Sequence, residues 1–288
     1  MSPLRIGVIS FVNSLPLIRG LEKQRSPEVE LVYANPSSLA DRLRYGELDA
    51  ALIPAVEYLR GVGAGVVPGL CIASRGPVES IRLVSQWMLE EVGSVLVDQA
   101  SRSSVAMLRL LMDRVHRRSP DFFSFRPDPA QPFLGPDGRD APAALIIGDA
   151  AMELADDVAP FTVDLGEWWE NTFHRPFVYA LWVTRAAPDA REFERLSTLL
   201  RASAEQGRRE LPRICEEVAE TRRWPESRVH EYLTRRIHYT LDNETLAGLS
   251  LFRDLCVENY LCPDRPEVLD GLAGLKGELE RATGGSGR

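Results

Sequence analysis

The sequence predicts an α/β protein with two lobes and a ligand cleft between them. Strand-like and helix-like segments alternate up to about residue 185, and helical patterns alone follow. Two extended apolar segments, residues 77–85 and 176–183, are suited to carry the chain from one lobe to the other and back. The predicted lobes are therefore residues 1–84 with 180–288, and residues 85–179.

The first lobe opens with an almost unbroken apolar strand at residues 4–9. Pro16 suits the first turn of a helix, so Asn13 lies in the turn that joins this strand to that helix. A second strand covers residues 48–53 and ends at Pro54, where a short helix begins. The ends of both strands thus bring small or polar residues to the sheet edge at which α/β proteins bind ligands.

A serine-rich segment in the predicted second lobe is the main candidate for an anion site. It follows the apolar strand 95–97 and opens a helix whose apolar residues recur at helical spacing. Ser101 is placed to cap this helix, which leaves the N–H groups and hydroxyls of Ser103 and Ser104 free to hold a carboxylate or phosphate. An ordinary helix cap that binds nothing explains the same pattern.

A further strand of the second lobe, residues 143–147, leads into Gly148 and Asp149 at the start of another helix. The Asp149 carboxyl is explained equally well as a helix cap and as part of a site. Beyond residue 185, four amphipathic segments predict a helical layer packed on the first lobe. They cover residues 189–207, 211–223, 226–237 and 243–258.

Composition and charge exclude several classes of function. The chain has 288 residues, 44% of them hydrophobic, and can bury a sizeable core. A net charge of -8 without long Lys/Arg runs argues against a nucleic-acid partner. The N-terminal apolar run is short, so we expect a core strand rather than a signal peptide, a cytoplasmic protein and no membrane partner. The four cysteines lack metal-ligand spacing, so we expect free thiols and no metal.

Six separated blocks of the chain resemble chorismate dehydratase of the futalosine route to menaquinone. The resemblance covers roughly residues 4–185 and extends more weakly through the C-terminal helices. The blocks read RIGV at 5–8 with VNSLPL at 12–17, GELDA at 46–50 with IPAVEYL at 53–59, GPVES at 76–80, DQASRSS at 98–104, LIIGDAA at 145–151, and DLGEWW at 164–169.

The resemblance implies the two-lobed fold of type II periplasmic binding proteins, used as an enzyme without metal or cofactor. The implied reaction is a carbon–oxygen lyase step, loss of water from the small-molecule substrate chorismate to give 3-[(1-carboxyvinyl)oxy]benzoate. Asn13 is expected to be catalytic, because a neutral amide can bond the departing hydroxyl. A substrate carboxylate is expected to take the proton. The expected substrate-binding residues are Ser14, Ala55, Ser80, Ser103, Ser104 and Asp149.

A sister family of the same pathway, 1,4-dihydroxy-6-naphthoate synthase, shares the implied fold. It is expected to carry a catalytic His after the strand at 145–147, where this chain has Gly148, so the dehydratase is favoured. The chain also departs from the dehydratase pattern. It reads TFHRPF at 172–177 where Thr-Gly-x-Pro-Phe is expected, and Asn13-Ser14 where Asn-Thr is usual.

A non-catalytic binding protein or ligand sensor is the alternative from a different functional class. It would hold an anionic metabolite in the same cleft with the same serine-rich segment. The lack of a recognisable signal peptide counts against a transport role, and no basic helix-turn-helix is present for a DNA-binding sensor.

Overall fold

Two five-stranded mixed sheets form the framework of the protein. The computed structural model describes residues 3–24, 26–185, 189–265, 267, 268, 271 and 274–277. The first sheet contains β1 (Leu4–Ile9), β2 (Val29–Ala34), β3 (Ala50–Pro54), β4 (Gly65–Ser74) and β10 (Phe177–Thr184), in the order β2-β1-β3-β10-β4. The second contains β5 (Ile81–Ser85), β6 (Ser94–Asp98), β7 (Asp121–Phe125), β8 (Ala143–Ile147) and β9 (Phe161–Asp164), in the order β7-β6-β8-β5-β9.

The chain crosses between the sheets a few residues before each boundary that the sequence suggests. β5 pairs along its length with β8 and β9, so it belongs to the second sheet. β10 pairs with β3 and β4, so it belongs to the first. The sequence predicts both as crossing segments, because an apolar extended run does not reveal which sheet it joins. We therefore propose lobe boundaries at residues 75–80 and 174–176 instead of 84 and 179.

The first crossing is held by a carboxylate of the second lobe. Asp164 accepts hydrogen bonds from the backbone N–H groups of Val78 and Glu79, at 3.0 and 2.6 Å. The same side chain accepts bonds from Gly166 and Glu167, and so caps the helix that follows it. Asp164 thus links the connection between the lobes to the start of a second-lobe helix.

Six helices flank the two sheets within the lobes. Local signals set their starts: Asn35, for example, accepts a 2.8 Å hydrogen bond from the Ser38 N–H, and Pro36 occupies the first helical position after it. The helices are α1 (Leu15–Gln24), α2 (Pro36–Arg44) and α3 (Ala55–Leu59) in the first lobe, and α4 (Ser103–Leu111), α5 (Asp149–Met152) and α6 (Leu165–Phe173) in the second.

The C-terminal helices pack on the first lobe, as predicted. The Ser203 hydroxyl donates to the Leu17 carbonyl and accepts from the Leu21 N–H, which fastens the first C-terminal helix along α1. Any Cβ at Gly207 would overlap the Pro16 carbonyl oxygen, so this close approach requires glycine. The layer comprises α7 (Ala190–Arg209), α8 (Leu211–Arg222), α9 (Glu226–Glu231) with a π-helical turn over Tyr232–Arg236, and α10 (Asn243–Glu258).

Aromatic side chains fill the core where the second lobe, the first sheet and this layer meet. Trp169 of α6, Phe177 of β10 and Phe252 of α10 are buried, and their rings pack edge-to-face at centroid distances of 4.7 to 5.9 Å. Trp169 is therefore a core residue. Within the described ranges, no helix is long and apolar enough to cross a membrane.

Candidate active site

A small cavity lies between the two lobes, at the ends of β1, β3 and β6. Its volume is about 50 Å³. Small-molecule pockets usually measure about 300–1,000 Å³, so the lobes must separate before a ligand can enter. Polar groups reach the wall from both lobes: Asn13 and Tyr179 from the first, and Arg102, Ser103 and Ser104 from the second.

Asn13 lies in the single 3-10 turn, Val12–Ser14, that links β1 to α1. Its amide oxygen is buried and accepts no hydrogen bond from any residue that the structure describes. A turn residue would use this oxygen to bond the neighbouring backbone. The free oxygen therefore favours a role toward a ligand over a role in shaping the turn.

The serine-rich segment differs from its prediction at the start of α4. The helix begins at Ser103, Arg102 occupies the N-cap position, and no side chain caps it. The prediction that Ser101 is the cap was therefore wrong. The Ser101 hydroxyl is buried and finds no partner among the described residues. The segment before α4 is bound to the first lobe at Gln99, whose carbonyl accepts a hydrogen bond from the Ser37 hydroxyl.

Ser103 and Ser104 both line the cavity, but their hydroxyls are in different situations. The Ser103 hydroxyl donates to the Tyr179 carbonyl at 2.9 Å and accepts from the Val56 N–H at 3.2 Å. It ties the two lobes together and has no proton left for a ligand. Ser104, the second residue of α4, lines the cavity without such a bond to the first lobe. Of the two serines, Ser104 is the one available to bind an anion.

Ser14 and Ala55, two other expected binding residues, are completely buried beside the cavity. The Ser14 hydroxyl lies 2.6 Å from the Ile9 carbonyl and 2.9 Å from that of Phe11, so it fastens the end of β1. Ala55 is the first residue of α3 and brings no functional side chain. Neither residue lines the cavity, and their contact with the substrate stays a prediction.

Ser80 connects to Asn13 through a tyrosine that the sequence did not single out. Burial raises the pKa of the Tyr232 hydroxyl, and the adjacent side chains of Ser80 and Asn13 oppose that rise. The Ser80 carbonyl also accepts a 2.8 Å bond from the Gly148 N–H, next to the crossing between the lobes. Asn13, Ser80 and Tyr232 thus form a polar cluster. Tyr232 lies in the C-terminal layer and does not follow a strand, so its sequence position did not indicate a site residue.

Asp149 is a link between lobes and does not cap its own helix. Its carboxylate accepts the Val12 N–H at 3.0 Å and pairs with the Arg222 guanidinium of α8. Burial raises the pKa of this carboxyl, while Val12 and Arg222 favour its charged form. No side-chain capping bond forms at α5. The cap alternative for Asp149 was therefore wrong, and its bonds join the second lobe to the turn that carries Asn13.

Gly148 has a conformation that no other residue adopts without strain. Its φ is +64° and its ψ is -145°, and a Cβ here would lie 2.9 Å from the Phe11 ring. Such backbone is essentially restricted to glycine. A histidine at this position would meet both obstacles.

Two charged residues of the 98–104 block were not recognised as candidates. Arg102 lines the cavity, and it lies inside the motif that drew attention to the serines. Asp98, the last residue of β6, is 5% exposed, and burial raises its pKa to about 6 although the Ala100 N–H bonds to it. The position of Asp98 at the end of a strand could have marked it as a candidate site residue.

In the unusual 172–177 segment, a residue other than glycine has a positive φ. His174 stands where the resemblance led us to expect Gly, and it has a left-handed φ of +53° at the end of α6. Histidine tolerates this region at a cost. Its side chain is exposed and does not line the cavity.

Metal-binding groups are not assembled in the described parts of the chain. No three His, Cys, Asp or Glu side chains there are placed to hold a metal ion. The four cysteines are buried free thiols, as expected.

The chain is similar to known proteins over most of its length. A family model described as menaquinone biosynthesis matches residues 4–258. A chorismate dehydratase from Thermus thermophilus is 27% identical over 277 residues, which cover 88% of this chain and 95% of that protein.

Solved structures confirm the periplasmic-binding-protein-like fold. A protein from Archaeoglobus fulgidus superposes with a TM-score of 0.72 at 14% identity, over 90% of this chain and 98% of the other. A Candida albicans protein, described as having the generic periplasmic binding protein fold, superposes with a TM-score of 0.61 at 11% identity, over 95% of each chain.

Proposed function

Because this chain belongs to the menaquinone biosynthesis family, we propose that it is a chorismate dehydratase. It eliminates water from chorismate and releases 3-[(1-carboxyvinyl)oxy]benzoate. The similarity to the Thermus thermophilus chorismate dehydratase, which spans nearly the whole of both chains, supports this activity.

The observation that carries the proposal is the shared cavity of Asn13 and Ser104. One residue offers an amide with an unused oxygen, and the other a hydroxyl on the cavity wall at the N-terminus of α4. The N-terminal N–H groups of a helix attract an anion, and chorismate carries two carboxylates. The cavity therefore combines an anion-binding wall with a neutral polar group from the opposite lobe.

The reaction needs positioning more than strong acid–base catalysis. The C–H bond at the ether-bearing ring carbon breaks, its electron pair becomes the new ring double bond, and the neighbouring C–OH bond breaks. The proton passes to a carboxylate of the substrate, which transfers it to the departing hydroxide, so that water leaves and the carboxylate is again ionised. Because the ring becomes aromatic, the elimination is strongly downhill.

We assign each cavity residue a role in that step. Ser104 and the first N–H groups of α4 hold a substrate carboxylate. The Asn13 amide oxygen accepts a hydrogen bond from the substrate's ring hydroxyl and so positions it. An Asn13 amide N–H donates to that hydroxyl as negative charge grows on it, which needs no change in protonation. Ser80 and Tyr232 keep the Asn13 amide oriented from the side away from the substrate.

The conformation of Gly148 supports the dehydratase over the sister synthase. That enzyme is expected to use a histidine at this point of the chain. Here the backbone is restricted to glycine, and the Phe11 ring occupies the space of a side chain.

Turnover of purified protein with chorismate tests the proposal. We expect an aromatic enol ether to accumulate with no added metal or nucleotide, at a rate that EDTA leaves unchanged. Chorismate that binds to folded protein but stays intact would instead establish the binding-protein alternative.

A further inference from the structure

Arg102 is the charged residue among those described on the cavity wall. It precedes Ser103 and Ser104 at the N-cap position of α4, so its charge lies beside the N-terminal N–H groups of that helix. Its side chain is 26% exposed. A cavity of about 50 Å³ is only a few ångströms wide, so any ligand held by Ser104 also experiences the charge of Arg102.

Two first-lobe carboxylates hold the Arg102 guanidinium at this wall. It lies 2.6 Å from Asp41 of α2 and 3.2 Å from Glu57 of α3. Glu57 is 1% exposed and also pairs with Arg44 at 2.6 Å and Arg60 at 2.8 Å. Within the described residues, this network has three guanidinium groups and two carboxylates. Its charge is positive, in a protein with a net charge of -8.

A neighbouring arginine gives independent support for this positive field. Burial, and then repulsion from Arg60, lowers the pKa of Arg109 on α4. Burial alone would also lower the pKa of Arg102, but its bonds to Asp41 and Glu57 raise it instead. Arg102 is therefore held charged and in place when the lobes are closed.

We propose that Arg102 is the specificity-determining residue that makes this cleft prefer a dianion over a monoanion, by pairing with the second carboxylate of the ligand. The inference rests on the proposed function for the identity of the natural dianion. It adds a second, charge-based contact to the site formed by Ser104 and α4. Closure of the lobes fixes this cation beside the bound ligand through Asp41 and Glu57.

Calorimetric binding of two stable probes tests the assignment without turnover. Isophthalate carries two ring carboxylates and benzoate carries one. We expect the wild type to prefer isophthalate, and Arg102→Met to lose roughly 10- to 100-fold in isophthalate affinity while benzoate changes little. Arg102→Lys keeps the charge and should keep most of the preference.

Arg44→Met is the matched control. It also removes one positive charge and one contact to Glu57, but Arg44 does not line the cavity. The proposal fails if Arg44→Met loses the preference as strongly as Arg102→Met, because the effect would then be a general one of the network. It also fails if the wild type shows no preference, or if Arg102→Met retains it.

Salt dependence in the wild type decides the matter if Arg102→Met does not fold. The net charge of -8 repels a dianion, so added salt would strengthen isophthalate binding in the absence of a local cation. If Arg102 pairs with the ligand, added salt should instead weaken binding, and isophthalate affinity should fall more steeply than benzoate affinity. Because these are binding measurements, absent chorismate turnover would refute the proposed function and leave this inference standing.

Discussion

Asn13 combines a place on the cavity wall with an amide oxygen that no described residue uses. A buried acceptor without a donor is costly, so such a group is retained where a ligand completes its bonding. The place of Asn13 at the ligand-binding edge of the sheet was predictable, because the residue follows an apolar strand. Its free oxygen was not, because that depends on where Tyr232 and Ser80 pack.

Replacement of Asn13 should impair catalysis far more than folding. Loss of one preorganised donor to developing charge costs roughly 100- to 1,000-fold in turnover, so Asn13→Ala should fall by about that factor. Asn13→Asp should fall at least as far, because it adds a negative charge beside a dianion. Steady-state kinetics and thermal melts measure both effects.

Asn259→Ala, at an exposed helix end, is the control for the Asn13 variants. It should leave turnover unchanged. Near-normal turnover by Asn13→Ala would show that Asn13 only supports the turn.

Asp98 should make stability depend on pH. Burial raises its pKa from 3.8 to about 6, so the folded protein holds this proton more tightly than the unfolded chain does. The associated stability is fully present below about pH 4 and is lost as pH rises through 6. The loss amounts to about 3 kcal/mol, at about 1.4 kcal/mol per pKa unit.

Asp98→Asn should therefore be more stable than the wild type above pH 6, and the difference should shrink toward pH 4. Denaturant unfolding across this range measures it. Asp128→Asn is the control, because Asp128 is exposed and makes the same local bond, to Ala130 at 2.9 Å. A stability difference for Asp98→Asn that does not vary with pH would contradict the account.

The start of α4 shows how one element serves both closure and binding. Ser103 bonds across the lobes to Val56 and Tyr179, while Ser104 borders the cavity. The sequence predicted both serines as anion ligands, since a serine-rich helix start with two hydroxyls does not reveal which of them the opposite lobe will use. That division is set by tertiary packing.

Single substitutions should separate the two serines. Ser103→Ala leaves a buried N–H and a carbonyl unpaired, so we expect a loss of about 1–3 kcal/mol in the free energy of unfolding. Ser104→Ala should keep its stability within about 0.5 kcal/mol, yet weaken chorismate binding roughly 10- to 100-fold. Chemical denaturation and calorimetry measure the two effects. Equal stability losses would refute the distinction.

Strands and helices were predictable where local patterns decide them. The apolar run at β1, the break at Pro54 and the caps at Asn35 and Asp189 need only neighbouring residues. The sheet membership of β5 and β10 was not, because each runs antiparallel to both its neighbours and pairs with strands distant in sequence. Long-range pairing leaves no local signal.

The molecule as a whole is closed, and polar bonds between the lobes hold it so. Asp149 reaches the Val12 N–H and Arg222 on one side of the cavity, and Arg102 reaches Asp41 and Glu57 on the other. The cavity of about 50 Å³ cannot admit a substrate of this size, so these bonds must break and re-form in each cycle.

Asp149→Asn should shift the ligand-free protein toward an open form. The amide still accepts the Val12 N–H but loses the ion pair to Arg222, which is worth up to about 1 kcal/mol because Arg222 is partly exposed. Small-angle scattering should show a larger radius of gyration than for wild type.

Asp254→Asn, which alters an exposed ion pair with Arg253 on α10, is the control for Asp149→Asn and should not change the scattering. Burial raises the pKa of Asp149 in the closed form, so that form binds this proton more tightly and the wild type should favour closure as pH falls. Identical profiles for wild type and Asp149→Asn would show that this link does not hold the cleft closed.

A single-turnover experiment tests the claim that this cleft dehydrates chorismate. Equal amounts of protein and chorismate are mixed, quenched at intervals and analysed by mass and proton spectra. We expect wild type to yield an aromatic product lighter than chorismate by one water, and Asn13→Ala to bind chorismate yet leave it intact over the same period. Intact chorismate with folded wild-type protein would contradict the claim.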